Sequence, residues 1–192
     1  MPPLHTLPEF CPKDLADWRR WLKKHHAKLE GVWLVFYKKA SGKQGLTYSE
    51  AVDEALCWGW IDSKMNPIDE ERYEQVYTPR KPGSVWSALN KRKIAAMEAQ
   101  GRMQPAGRAK IDAAISDGSW LHLDGVEALE MPPELAQPLA ANAAAQATYD
   151  ALTRGRKKML LSYLHSAKRE ETRRFRISKI LEALSQGKMP AS

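Results

Sequence analysis

The sequence predicts an α+β fold: a small antiparallel sheet packed by helices, followed by an all-helical C-terminal unit. Three observations predict it. The run Val32-Trp33-Leu34-Val35-Phe36-Tyr37 is β-branched and aromatic without alternation, as in a central strand covered on both faces. Residues 60–78 read as a hairpin, with a turn at Asn66-Pro67-Ile68-Asp69. Beyond Pro132-Pro133 only helical periodicities remain.

Pro12-Lys13-Asp14 opens an amphipathic helix expected to reach about Lys28, with Leu15, Trp18, Leu22 and Leu29 near one face and Gly31 ending it. Ser41 to Gly45 is a polar loop. Thr47-Tyr48-Ser49-Glu50 matches a capping box, and its helix buries Val52, Ala55 and Leu56 before stopping at Gly59. A strand starts at Trp60. After the turn, alternation over Arg72–Thr78 places Tyr73, Gln75 and Tyr77 on one face and Glu74, Val76 and Thr78 on the other. Ser84 is expected to cap a helix running to about Gln100, and a further helix lies between Gly107 and Asp117. Ser119 to Met131 is weakly patterned. One helix is expected from Pro133 to about Leu152, followed by others near Arg156–His165 and Ala167–Ser185, the last ended by Gly187. The expected division is an α+β domain over 1–131 and a basic helical unit over 132–192.

Composition narrows the class. The chain has 192 residues, 43% apolar and 28% charged, which suits a globular protein with a real core. The start shows no basic segment followed by an apolar run, and the longest apolar run falls far short of the roughly 20 residues of a membrane helix. Cys11 and Cys57 lack a CxxC or Cys/His pattern, so reduced thiols in a cytoplasmic protein are expected. The net charge of +7 is uneven: residues 151–192 hold 11 basic and 3 acidic side chains, whereas the first 150 hold 19 and 20. Such asymmetry suits an anionic partner, and a solvated helix face gives the same count.

Chemistry-bearing residues concentrate between Cys57 and Lys91. Trp58, Trp60 and Trp86 fall there with Tyr73, Tyr77, Asp62, the Pro-flanked pair Arg80-Lys81 and Asn90. Buried indoles need hydrogen-bond partners, so this density of tryptophan suggests more than core filling. The expected ligand site comprises Trp60, Asp62, Tyr77, Arg80, Lys81, Ser84, Trp86, Ser87 and Asn90. Free N–H groups at the start of a Ser84 helix, its dipole, the two hydroxyls and the basic pair suit a phosphate or carboxylate, with Trp60, Trp86 or Tyr77 stacking on an attached ring. The alternative is a capping serine beside a solvated basic pair. Arg80→Ala is expected to abolish binding and leave the fold intact.

Catalytic signatures are missing. Cys57 sits in the last turn of its helix, where the dipole opposes a thiolate, and is read as a small buried apolar residue. Asp62 can act as an acid or base, or bond an indole N–H, Arg72 or Arg80. No second carboxylate at a defined spacing supports it. His25 and His26 are adjacent and cannot both face one metal. HExxH, CxxC, P-loop and GxGxxG patterns are all absent, so no metal and no cofactor is expected. In the last helix Ile177, Ile180, Leu181 and Leu184 form the buried stripe. Lys168, Arg169, Phe175, Arg176 and Lys179 lie off it, a basic and aromatic face that fits single-stranded nucleic acid or an acidic partner, or else docks inside the protein.

Several of these stretches resemble a known family. GVWLVFYKK, LTYSEAVDEALCWGWIDS, RYEQVYTPRKPGSVWSALNK and GRMQPAG look like the YdeI/OmpD-associated, bacteriocin-protection family. AKREETRRFRISKILEALSQGK is similar to its OmdA-type helical unit. The likeness runs from Gly31 to Lys188, and Trp58 departs from the Phe more often expected there. The resemblance implies a stress-protection or binding protein and hands over no catalytic residues. Three functions stay open: a small-anion binder, a binder of nucleic acid or an acidic partner through the last helix, and an enzyme using Asp62, Cys57 and Arg80.

Overall fold

A computed structural model of the chain describes residues 4–190. It contains β1 (Glu9–Phe10), α1 (Leu15–His25), β2 (Val32–Tyr37), α2 (Tyr48–Cys57), β3 (Trp60–Pro67), β4 (Arg72–Pro79), α3 (Ala88–Ala99) and α4 (Pro105–Ser116). These belong to a first compact unit ending at Leu121. α5 (Asp124–Ala128), α6 (Pro133–Ala140), α7 (Ala143–Ala151), α8 (Arg154–His165) and α9 (Glu170–Ser185) belong to a second. The fold is α+β, with an all-helical C-terminal region.

In the first unit the strands lie in the order β1-β2-β4-β3. β2 pairs antiparallel with β4, and β4 with β3. The two residues of β1 pair parallel with β2, which makes the sheet mixed rather than purely antiparallel. Two residues are too few to carry a periodicity, so the sequence leaves no trace of that strand. β2 is buried on both faces as its apolar run predicts: Val32, Leu34 and Phe36 face the helices, while Trp33 and Val35 are covered on the other side.

The helices pack on one sheet face around Trp18, Leu22, Leu34, Phe36, Leu56, Trp60, Tyr77, Trp86, Ile94 and Ile111. Local chemistry sets their ends. Asp14 caps α1 by accepting from Asp17 N at 2.7 Å. The Thr47–Glu50 capping box forms in full, with Glu50 Oε2 accepting from Thr47 N at 3.0 Å. Gly59 turns the chain out of α2 at φ +74°, where a Cβ would also meet α4. α1 stops earlier than expected, at His25, so Leu29 packs on the core from a loop.

One N-terminus differs. Ser84 caps nothing: its N–H closes a turn onto Lys81 O at 3.2 Å. The helix begins at Ala88 and is capped by Ser87, whose hydroxyl accepts from Asn90 N at 3.2 Å. Both serines are followed at a helical interval by residues compatible with a first turn. The structure uses Ser87, whose own backbone is extended at φ −70° and ψ 153°, while the residues before it turn at Pro82-Gly83 and bury Trp86.

The second unit, 122–192, closes on Val126, Leu135, Leu139, Tyr149, Leu160, Leu164, Ile180 and Leu184. The single helix expected from Pro133 to Leu152 is two. The chain breaks at Ala141-Asn142, and Asn142 caps α7 by accepting from Ala145 N at 3.0 Å. The break lets Leu139 and Tyr149 reach one core. The α9 stripe is as read, with Ile180 and Leu184 buried and Ile177 and Leu181 packed at the margin.

Charge is distributed differently by folded unit than by chain half. The first unit holds 19 basic and 15 acidic residues, a net of +4. The second holds 11 and 8, a net of +3, because the carboxylates between Asp124 and Asp150 fold with the basic tail.

Candidate functional site

The aromatic residues of the expected site are mostly core. Trp60 and Tyr77 are 1% and 0% exposed, so neither ring presents a face to a ligand. The indole N–H of Trp60 donates to His26 O at 3.2 Å and that of Trp58 to Glu54 Oε1 at 3.2 Å. Core filling therefore accounts for both, contrary to what their density suggests. Asp62 bonds neither an indole nor an arginine. Its Oδ2 accepts from Tyr48 Oη at 2.9 Å and Gln75 Nε2 at 2.8 Å. Burial, with Asp62 beside it, pushes the Tyr48 hydroxyl up to about 12. Arg72 pairs instead with Asp69 across the turn.

Glu54 supplies the buried carboxylate that sequence reading overlooked. Arg19 Nε and Nη2 donate to it at 2.9 and 2.8 Å, and Arg102 Nη2 at 2.9 Å. Burial opposes its ionisation, yet these bonds keep its carboxyl below the usual range. Both arginines are held by Glu54, although Arg102 Nε is buried without a partner, and this pairing makes the carboxylate a strut rather than a reactive group. Cys57 beside it is fully buried, and desolvation raises its thiol to about 11. A thiol so raised is a poor nucleophile at neutral pH.

Arg80 is the exception to this pattern of satisfied charge. It follows β4, its backbone N–H donates to Gly59 O at 2.8 Å, and its side chain is only 4% exposed. The guanidinium carbon lies 3.6 Å from the ring centroid of Trp86, and Nη1 donates to Val85 O at 3.1 Å. Nε is buried without a partner. Among the described residues no carboxylate pairs with Arg80, nor with Lys81 or Lys110 nearby. Desolvation lowers Arg80 to about 10, which leaves it charged at pH 7.

Two adjoining cavities open on this side chain. One, of about 50 Å³, lies between the Arg80–Trp86 segment and the last turns of α4, bounded there by Lys110, Ala114 and Asp117. The other, of about 320 Å³, shares Arg80, Lys81, Pro82 and Lys110 and reaches Glu30 and Thr78. Asp117 accepts from Gly83 N at 3.1 Å and Ser119 N at 2.8 Å, tying the Pro82-Gly83 turn to the end of α4. Bonds from Ser119 and Gly83 hold its carboxyl below the usual range. Of the expected residues the structure thus brings together Arg80, Lys81 and Trp86. Ser87 and Asn90 meet in the α3 cap, while Ser84 and Asp62 do not line either cavity. Lys110 and Asp117 had no local signal, since they join the site only through helix packing.

The last helix begins at Glu170 rather than Ala167, so Lys168 and Arg169 precede α9; both are exposed, as is Phe175 on the helix, by 59%. Arg176 is tied down: its guanidinium lies 4.4 Å over the Tyr163 ring and bonds Tyr163 O and Ser166 Oγ. Lys179 pairs with Glu182 at 3.0 Å. The expected basic face is therefore partly neutralised within its own unit. Among the described residues no group of His, Cys, Asp or Glu could hold a metal ion, and no helix is long and apolar enough to cross a membrane.

An α+β unit with a buried unpaired arginine, joined to a helical unit, is the class of protein these features define. Residues 10–110 match the family described as Domain of unknown function (DUF8412), more than half of the chain, and the protein belongs to that family. Residues 128–187 match Bacteriocin-protection, YdeI or OmpD-Associated (OmdA), so the resemblance holds in the C-terminal unit. The N-terminal motifs fall within the other family's span. No curated protein and no solved structure matches the chain.

Proposed function

We propose that the first unit binds a small anion, a carboxylate or phosphate, with Arg80 as its anchor, and that the protein is a cytoplasmic binding protein of stress protection. One observation carries the reading: Arg80 is more than nine-tenths buried and charged, yet no carboxylate among the described residues forms an ion pair with it, Asp62 attracting it only from farther away, and its Nε has no partner. Burying an unpaired charge is costly, and an anion in the adjoining cavities would relieve that cost. Lys81 and Lys110 add positive charge at the mouth. The two free thiols, Cys11 and Cys57, suit a reducing compartment.

Burial changes the test. Arg80→Ala would remove a side chain packed on Trp86, so loss of fold and loss of ligand would be confounded. Lys110→Ala and Arg80→Lys are the informative variants. Thermal unfolding is followed against phosphate, sulfate and a panel of small carboxylates at matched ionic strength. Saturable stabilisation, of about 2.7 kcal/mol at 100 times the dissociation constant and reduced in both variants, supports the site. Shifts that track ionic strength alone, or that survive both variants unchanged, refute it.

A further inference from the structure

A second cavity, sharing no lining residue with the Arg80 site, opens at the far end of the sheet. It measures about 500 Å³, within the range of small-molecule sites. Its walls are three tyrosines brought from three elements: Tyr37 at the end of β2, Tyr48 at the start of α2 and Tyr73 in β4. Its rim is the loop after β2, which supplies Lys38, Lys39 and Lys43.

Each ring is held in place by the protein. Tyr73 stacks on Phe36, centroids 5.1 Å apart and planes 13° from parallel. Tyr48 is 47% exposed, yet its hydroxyl is anchored on Asp62 at 2.9 Å. Tyr37 is pressed by Gly45, where an added Cβ would lie 3.3 Å from the ring, and Lys43 Nζ sits 5.4 Å from its centroid. Two lysines are likewise positioned: Lys38 donates to Asp69 O at 2.6 Å and Lys43 pairs with Glu71 at 2.6 Å. Lys39 is exposed at the rim. The single lining carboxylate, Glu50, is already occupied by Thr47 N and Oγ in the capping box. Fixed aromatic walls favour a flat ring system at little ordering cost, and a cationic rim favours an anionic substituent on it.

We propose that this cleft binds a planar heteroaromatic phosphate of mononucleotide size, the ring among the tyrosines and the phosphate at Lys39, beside the Lys43–Glu71 pair. Calorimetric titration of the full chain with AMP, adenosine, ribose 5-phosphate and inorganic phosphate tests it. AMP is expected to bind, with adenosine and ribose 5-phosphate each weaker by roughly tenfold or more, since each lacks one half of the recognition. Tyr48→Ala and Lys39→Ala each weaken AMP by roughly tenfold, while Tyr48→Phe, which keeps the ring and loses the bond to Asp62, retains most of the affinity. Arg80→Lys leaves AMP binding unchanged, which separates this cleft from the other site. Absence of AMP binding at millimolar concentration, equal binding of AMP and inorganic phosphate, or indifference to both Tyr48→Ala and Lys39→Ala overturns the proposal. So does binding of a single-stranded oligonucleotide where AMP does not bind, which would make the cleft a nucleic-acid groove.

Discussion

Gly107→Ala should destabilise the first unit, although glycine to alanine inside a helix ordinarily stabilises by about 1 kcal/mol. Gly107 lies in α4 where that helix meets the end of α2. A Cβ there would stand 2.2 Å from Cys57 O, 2.7 Å from Cys57 C and 2.9 Å from Leu56 O. All three are backbone atoms, so no rotamer change can absorb the clash. Restoring van der Waals distance needs α4 to retreat by roughly 1 Å along a close contact that also includes Gln104 N donating to Cys57 O at 3.1 Å. Overpacking of this kind costs about 1–3 kcal/mol, and the upper end applies where both partners are rigid. Set against the usual gain of about 1 kcal/mol, the net loss is about 2 kcal/mol, which at roughly 3–6 °C per kcal/mol for a unit of this size lowers its melting temperature by about 6–12 °C. Gly155→Ala in α8 is the control: nothing lies within 4 Å of its added Cβ, so the second unit should gain about 0.5–1 kcal/mol. Differential scanning calorimetry of both variants reads the two signs. A neutral or stabilised Gly107→Ala would refute the close approach of α4 to α2, and with it the placement of Lys110 beside Arg80.

Two further expectations concern the same unit. Ser87→Ala should cost about 1 kcal/mol in urea unfolding and Ser84→Ala under about 0.5 kcal/mol, since Ser87 alone caps α3; the reverse order would restore Ser84 as the cap. Glu54→Gln should cost about 2–3 kcal/mol at pH 7, less than a fully buried pair because Arg19 and Arg102 retain 47% and 26% side-chain exposure. Glu54 has a depressed carboxyl in the folded state, so its contribution is complete above the unfolded carboxylate range and is lost as pH falls through the folded value. The variant should therefore show a shallower loss of stability in acid, and an acid limb parallel to that of the native chain would count against the assignment.

Short-range signals in the sequence read well. The Thr47–Glu50 box, the Gly59 stop, the apolar run of β2 and the alternation of β4 all act over a few residues, and the structure keeps each of them. Local propensity misplaced the start of α3, where two serines three residues apart both suit an N-cap and the structure uses Ser87. It also ran α6 and α7 together, because an alanine-rich stretch has helical propensity throughout and only the shared core of Leu139 and Tyr149 requires the break at Asn142.

For the sites the division is sharper. Residue types were legible in part: Arg80-Lys81 between two prolines stands out in the chain, whereas the tyrosine cleft gave no signal, Tyr37 reading only as the end of a buried strand. Their environment was not. Trp60 and Arg80 stand in the same dense stretch, yet the first fills the core with its N–H satisfied and the second is buried with its charge unmet. Nothing within 20 residues of Arg80 announces that Lys110 and Asp117 will close over it, and nothing near Tyr37 announces Tyr73. By itself the sequence determined the α+β class and several helix ends, such as those of α2, because these follow from local hydrogen bonding and periodicity, and its residue motifs pointed to the OmdA match of the C-terminal unit. Which charges lost their solvent, and which distant side chains became neighbours, was decided only by tertiary packing, since burial is a property of the whole fold and not of any segment.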